Sequence, residues 1–475
     1  MQRILCAILF LIFSAVSNFL NAQKVWTLQE CVEYALKNNL QVKQGEISSS
    51  IAEANKQQSL FSFFPSINGS ASYNYNTGRS VDAFTNTFTT RSNQSANFSI
   101  SSGVTLFNGF QLQHQYRQSR SNLKASGYDL DKVRNDISLN VAAAYLQAVY
   151  AKEETKAAED RLKLADEQLS KTKKLVENDL LAKGSLLEAE AQMATEDYTR
   201  ITAHNAYQNA ILTLTQLMNL ESADEFEIEV PSIDLPRQEI LSLTSEMIFK
   251  DAMNRQPEIK SAAWRTFAAK SGWKGSLGGR LPRLTLFGSI STLYSNQAQR
   301  IKGVPLFLGY QPTGSLTTGG DAVLSPSYIY EFEKTPFSDQ FDNNLSKSFG
   351  FSLSIPVFNG RSTEMSVKRS KLNYENARIN QQLVEDQLYK SIQQAHQDAV
   401  AALNKLEAAK KSADAQTEAL MYMEKKYEAG LVTSLEYNTA RNNLTRAQSN
   451  MLQSKYDLIF KIKVLDFYAG KPLSY

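Results

Sequence analysis

The sequence is poor in the side chains that most enzyme chemistry needs. It has two cysteines and three histidines in 475 residues. Cys6 falls in an N-terminal apolar stretch, which leaves Cys31 alone in the rest of the chain. A single thiol excludes an intrachain disulfide, so stability has to come from packing. His114, His204 and His396 are far apart in sequence and lack Cys, Asp or Glu at metal-ligand spacings, which argues against a zinc site or a nucleophile–base triad. No cofactor and no metal is implied. Charge of one sign is also missing: 51 Lys+Arg stand against 48 Asp+Glu. The two signs interleave along the helical segments, as on solvated faces, and not as on a nucleic-acid surface. Gly275 to Arg280 (GSLGGR) has the glycines of a phosphate loop but no Lys-Ser/Thr, and it precedes a strand, so it reads as a helix end.

Long apolar runs are scarce as well. Beyond residue 22 no stretch approaches 18 uninterrupted apolar residues, so no helical membrane span is expected. The one candidate is Ile4 to Phe13, which follows Arg3 and precedes Leu20-Asn21-Ala22. It is shorter than the roughly 20 residues of a span. Residues 1–22 therefore read as a secretory signal and not as an anchor.

What the chain does have is a duplication. Thr27, Ala35, Leu36 and Pro65 recur 217 residues later as Thr244, Ala252, Met253 and Pro282. Phe107-Asn108-Gly109, Val133, Ala144, Ala148, Leu180 and Ala189 recur 251 residues later as Phe358-Asn359-Gly360, Val384, Ala395, Ala399, Leu431 and Ala440. The second copy thus carries 34 extra residues between Pro282 and Phe358. Asn296 to Asn344, rich in Gly, Pro, Ser, Thr and Asp, is expected to hold them as a loop. The first repeat spans 23–220 and the second 244–468. An acidic, proline-bounded linker lies at 221–243, and a short tail at 469–475.

Each copy predicts two strands by period-two alternation, at about 65–76 and 95–107, then 283–295 and 347–357. Tyr73, Tyr75, Phe98, Ile100, Phe349, Phe351 and Leu353 fall on the apolar side, and the other side is Ser, Asn, Thr and Gly with almost no charge. Phe287 and Leu293 blur the third strand. A soluble sandwich also alternates, but strands of this length match the roughly 9 to 11 residues that cross a bilayer at a tilt. In that reading the seven apolar residues face lipid. Spanning barrels start at about eight strands, so four cannot close one, and several chains must share a barrel.

The remainder reads as helix of unusual length. From about Gln111 to Val176 and from about Ser362 to Tyr427, Gly and Pro are almost absent and Ala, Leu, Lys, Glu and Gln dominate. Some 65 residues of helix extend roughly 100 Å. Alanines at spacings of three and four, such as Ala144 and Ala148, favour close helix approach. Shorter helices return through tips at about 178–184 and 428–434, making antiparallel hairpins. Thr27-Leu28-Gln29-Glu30 is a capping box that opens the first helix, and Thr244 opens its counterpart.

Helix, two strands, long helix, tip and returning helix, stated twice, resembles the TolC-like outer-membrane efflux protein family. The resemblance runs from Trp26 to Pro472. Its marks are Val104-Thr105-Leu106-Phe107-Asn108-Gly109, Ile355-Pro356-Val357-Phe358-Asn359-Gly360, and Tyr427-Glu428-Ala429-Gly430-Leu431-Val432-Thr433-Ser434. It implies an α+β membrane protein. Four strands from each chain of a homotrimer complete a shared 12-stranded β-barrel, continued by a long α-helical barrel in the periplasm of a Gram-negative bacterium. It also implies docking to a periplasmic adaptor that links the channel to an inner-membrane pump. The docking residues are those of the tips: Asp179, Leu180, Leu181, Ala182, Gly430, Leu431, Val432 and Thr433. Acidic residues six and nine positions after the tip glycine line the closed periplasmic aperture in the best-known member. Glu436 keeps that charge and Thr439 departs from it. At the first tip Asp179 stands where the second has Gly430. The competing class is a periplasmic coiled-coil adaptor or other structural interaction protein, which has no need of four membrane-length strands.

Overall fold

Repetition decides where the elements begin and end. The computed structural model describes residues 25–81, 86–90, 92–222, 226–231 and 238–471. The signal segment, part of the linker and the last four residues lie outside them. The first half contains β1 (Val25–Trp26), α1 (Leu28–Asn38), α2 (Leu40–Phe61), β2 (Ser66–Asn76), β3 (Ser80–Val81), β4 (Phe88–Thr89), β5 (Asn93–Phe107), α3 (Gln111–Glu177) and α4 (Lys183–Met218). The second contains β6 (Glu227–Ile228), α5 (Ser245–Arg255), α6 (Pro257–Leu277), β7 (Arg283–Ser295), β8 (Gln299–Ile301), β9 (Leu306–Leu316), β10 (Ala322–Ile329), β11 (Phe332–Lys334), α7 (Phe337–Asn343), β12 (Ser346–Ser354), α8 (Ser362–Glu428) and α9 (Ser434–Tyr468). The offset of 217 carries α1 onto α5 residue for residue, and the offset of 251 carries α3 onto α8 in the same way. Among the described residues no helix is long and apolar enough to cross a membrane.

The chain divides into two compact units. One holds residues up to 54, 120–268 and 374 onward. Its two cores are copies of each other. Cys31, Ala35, Val42, Ile137, Val141, Ala148, Ala151, Ile211 and Leu214 are buried in the first. Their counterparts Ile248, Ala252, Ile259, Leu388, Ile392, Ala399, Ala402, Ile462 and Leu465 are buried in the second. Small residues on α3 and α8, such as Ala148, Ala151, Ala399 and Ala402, alternate with larger ones such as Tyr145, Leu146, Leu388 and Ile392, so both long and short helices supply bulk to the cores. β1 pairs in parallel with β6 from the linker. The Tyr145 hydroxyl secures that pair: it donates to the Glu229 carbonyl at 2.7 Å and lies 3.1 Å from the Trp26 carbonyl. The capping box at Thr27 and Glu30 forms as read, and Thr244 caps α5 by accepting from the Met247 N–H.

The other unit holds 55–119 and 269–373. Its centre is an antiparallel four-stranded sheet in the order β12-β7-β5-β2. The last strand stops at Ser354, three residues short of the expected end, because Pro356 has no N–H to give a ladder. The inserted segment is more ordered than a loop. β9 and β10 pair as a hairpin, β8 and β11 pair on either side of it in sequence, and α7 follows. Runs such as Leu306-Phe307-Leu308 and Tyr328-Ile329-Tyr330 alternate too irregularly to announce these strands. GSLGGR is the end of α6, completed by a short 3-10 turn at Gly278–Arg280.

The turn from β5 into α3 depends on two glycines. Gly109 has φ +66°, and a Cβ there would lie 2.4 Å from the Gly278 carbonyl oxygen. Gly109→Ala should therefore add left-handed strain of roughly 1–2 kcal/mol to a displacement of backbone by backbone. We expect a clear fall in the thermal midpoint of the detergent-extracted protein, read by circular dichroism; an unchanged midpoint would show that this close approach is dispensable.

Candidate functional site

Register sorts the sheet into two chemically different faces. Residues directly opposite each other share a face. Ile67, Gly69, Ala71, Tyr73 and Tyr75 of β2 thus lie on the same side as Ala96, Phe98 and Ile100 of β5, Leu286 and Ile290 of β7, and Phe349, Phe351 and Leu353 of β12. All seven side chains singled out by alternation are therefore on one face of one sheet. The opposite face runs in hydroxyl rows. Ser70, Ser99, Ser291 and Ser346 are successive cross-strand partners, and the Ser70 and Ser99 hydroxyls are 2.7 Å apart. In the next row Ser289 and Ser348 repeat that bond at 2.8 Å. Phe287 is on this polar face, and the register explains how it fits: its direct partners are Gly103 and Gly350, which leave room for the ring.

One of the seven residues differs from the expectation. Tyr73, Tyr75, Ile100, Phe349, Phe351 and Leu353 are exposed, whereas Phe98 is half-buried. α7 lies over that end of the apolar face. Its Phe337 and Phe341 rings stand 6.3 and 6.1 Å from Phe98, and Phe337 also meets Tyr294 at 5.4 Å. The side-chain amide of Gln340 fixes α7 by bonding both the N–H and the carbonyl of Ser295. Alternation found the face of Phe98 but carried no signal of what covers it.

The two hairpin tips are built alike. At the first, the Asp179 N–H donates to Val176 O and the Leu180 N–H to Leu175 O; at the second, Gly430 donates to Tyr427 O and Leu431 to Lys426 O. Asp179 holds φ +59° where Gly430 holds +70°. The aspartate thus adopts the glycine conformation at a cost of about 1 kcal/mol. Leu180 and Leu431 are exposed at equivalent positions, and Leu181 and Val432 are half-buried. The tips differ in their caps. Ala182 gives α4 no side-chain cap, whereas Thr433 and Glu436 form a capping box.

That box accounts for Glu436. Its carboxylate accepts the Thr433 N–H at 2.8 Å and the Thr433 hydroxyl at 3.0 Å, and these bonds hold its pKa below the usual range. The Thr-x-x-Glu spacing recognised at Thr27 recurs at Thr433, so this role was open to the same inspection. Thr439 donates to the Leu435 carbonyl of its own helix. The hairpins are linked by Ser434 to Glu188 and, more weakly, by Gln192 to Asn442 at 3.5 Å. Higher up, one charge pattern read as solvated is not. Glu196 is 4% exposed, takes a hydrogen bond from Gln192 and faces Arg161, which pairs with Glu154 at 2.9 Å. Among the described residues no group of His, Cys, Asp and Glu could hold a metal ion.

Comparison with known proteins identifies the family and the fold. The profile of the family described as outer membrane efflux protein matches residues 31–220 and 248–470, one segment in each repeat. The chain is 21% identical to outer membrane efflux protein BepC of Brucella suis over 433 residues, 91% of this chain and 83% of that one. Its fold is similar to that of CusC, a protein reported to form a transmembrane channel, with TM-score 0.72, 16% identity, and 94% and 92% of the two chains covered. It is also similar to the Campylobacter jejuni CmeC outer membrane channel, with TM-score 0.71, 18% identity, and 94% and 87% covered.

Glu436→Ala should open the first turn of α9, seen as faster amide exchange at Leu435 to Tyr437, and Glu436→Gln, which can still complete the box, should not. Since the folded pKa is lowered, the carboxylate supports the turn fully above its ordinary pKa and loses that support as pH falls through the lowered value. Equal exchange in all three proteins at neutral pH would remove Glu436 from the cap.

Proposed function

The chain belongs to the outer membrane efflux protein family, is a channel subunit of the Gram-negative outer membrane and not an enzyme, and on that premise we propose how its parts divide the work. Three copies join their sheets into one 12-stranded barrel, and their helices continue the passage into the periplasm. The observation that carries this reading is the sheet: one largely apolar face, one polar face of Ser, Asn, Thr and Gly whose one charge is Arg283, and two outer strands, β2 and β12, with no partner on their outer sides among the described residues. In lipid an open edge leaves N–H and C=O groups unsatisfied, so the strands need further copies. Tyr73, Tyr75, Ile100, Phe349, Phe351 and Leu353 face lipid, with Phe98 sheltered under α7. Hydroxyls and amides line a wet bore in which solutes meet no binding pocket. A coiled-coil adaptor would leave these strands without a purpose.

The tips dock a periplasmic adaptor, which joins this duct to an inner-membrane pump that supplies the energy. Leu180 and Leu431 are the exposed apolar contacts, flanked by Asp179, Leu181 and Ala182 at one tip and by Gly430, Val432 and Thr433 at the other. Three Glu436 side chains form one acidic ring at the resting aperture, and Thr439 adds no charge to it. A carboxylate held in its ionised form by Thr433 suits that task, since such a ring favours cations and repels anions.

Recovery in the outer-membrane fraction, extraction only by detergent and single-channel steps in planar bilayers are the expected results; a soluble monomer without conductance would overturn the reading. Ile100→Arg on the apolar face should cost about 2–4 kcal/mol of insertion if it lies near the bilayer midplane, while Ser99→Arg on the polar face should insert and alter conductance. Equal insertion of the two would reverse the faces. Glu436→Gln should weaken block of the channel by divalent cations, and unchanged block would move the aperture elsewhere.

A further inference from the structure

The duplication records how one copy meets the next. Within each repeat the hairpin register is the same. The offsets 217 and 251 carry the β2–β5 pair Ser66 and Gly103 onto Arg283 and Ser354, which are partners in β7–β12. The chain also contains one junction between repeats, where β5 of the first meets β7 of the second. In a closed ring of repeats the next junction joins β12 of one copy to β2 of another. Carrying the internal junction forward by the same offsets fixes its register: Ser99 and Ser291 become Gly350 and Asn74, and Ile100 and Ile290 become Phe351 and Tyr73.

We propose that β12 and β2 of adjacent copies pair antiparallel in this one register, with Phe349 opposite Tyr75, Phe351 opposite Tyr73, Leu353 opposite Ala71, Ser352 opposite Ser72 and Ser354 opposite Ser70. The proposal rests on the shared barrel stated above and goes beyond it by naming the seam. Three observations support it. The register keeps the two faces intact, placing aromatic beside aromatic on the apolar side and serine beside serine on the other. The edge strands are open: every residue of β2 is exposed, and every residue of β12 but Gly350. The strand-to-helix turns show the same incompleteness. Gly109 is pressed against Gly278 within the chain, whereas its counterpart Gly360 has no neighbouring atom within 4 Å of a built Cβ. The position equivalent to Gly278 is Phe61. Phe61 is 65% exposed, and Val357 and Phe358 beside Gly360 are 91% and 84% exposed. Since a Cβ at Gly278 would lie 2.2 Å from the Gly109 carbonyl oxygen, Phe61 stands farther from the glycine turn of the next copy than Gly278 does from Gly109, and the seam copies the strand register without copying that close approach.

Cysteine pairs test the register in the assembled protein, whose own Cys31 is buried. Ser72→Cys with Ser352→Cys, and Ser70→Cys with Ser354→Cys, are the aligned pairs. Ser70→Cys with Ser352→Cys, and Asn74→Cys with Ser352→Cys, are shifted by two residues. On oxidation in outer membranes the aligned pairs should give reducible covalent dimers and trimers at least about fivefold faster than the shifted ones, since opposite Cβ atoms are within disulfide reach and diagonal ones are not. The reduced proteins are sized in detergent alongside, and two aligned pairs are used so that one variant failing to assemble leaves the other as the test. Fastest linkage in a shifted pair, or none in any pair while the oligomer persists, overturns the register and leaves the channel reading standing. A detergent-extracted monomer in every reduced protein overturns both.

Discussion

A peptide group in hydrocarbon has to be hydrogen-bonded, and in the channel proposed above that demand governs the sheet. Four strands satisfy it between themselves and fail at their two outer sides. In the proposed barrel the chain cannot repair this alone, because each repeat contributes only two strands to the sheet, and a barrel needs more. From this follows the economy of the side chains. The sheet holds no thiol, no histidine and only two charges, Arg283 and Lys347, with a greasy face, a hydroxyl face and a register that keeps them apart.

Electrostatics enters where the helices end. Thr433 and Glu436 finish one tip with a full capping box, while the other tip begins α4 from Ala182 with no side-chain partner. Asp179 spends backbone strain on a turn that Gly430 makes freely. The tips therefore share a backbone path and differ in capping and charge. Between them, Glu188 and Ser434 tie one hairpin to the other near the end, and the shielded group of Glu154, Arg161 and Glu196 does so farther up, where Ser449 of α9 donates to Glu154. Polar ties of this kind exchange partners more readily than packed alanines do, which suits the docking role proposed for the tips.

Much of this was legible in the residues. The offsets read from Thr27, Pro65, Phe107 and Gly109 reproduce helix boundaries and strand register, because a duplicated backbone needs the same caps and turns twice. The alternating strands identified their own faces, since a one-residue slip would exchange them. Less was legible where structure depends on contacts distant in sequence. The pairing of β9 with β10 and the cover that α7 gives Phe98 left no period to read. Glu196 looked like any helix carboxylate, because burial between helices is set by partners on two other elements. Glu436 was read by its distance from a glycine when its nearer relation, to Thr433, stated a local role.

α9 does not belong wholly to its own half. Leu458, Ile462 and Leu465 fill the second core, but Tyr456 and Ile459 are buried in the first, where the Tyr456 hydroxyl donates to Glu153 at 2.8 Å. At the corresponding places α4 has Asn205 and Gln208. The ancestral symmetry has thus been broken by a graft: one half lends side chains that the other cannot return. The duplicated halves have become unequal lodgers in one folding unit, and neither could be exchanged for a second copy of its twin.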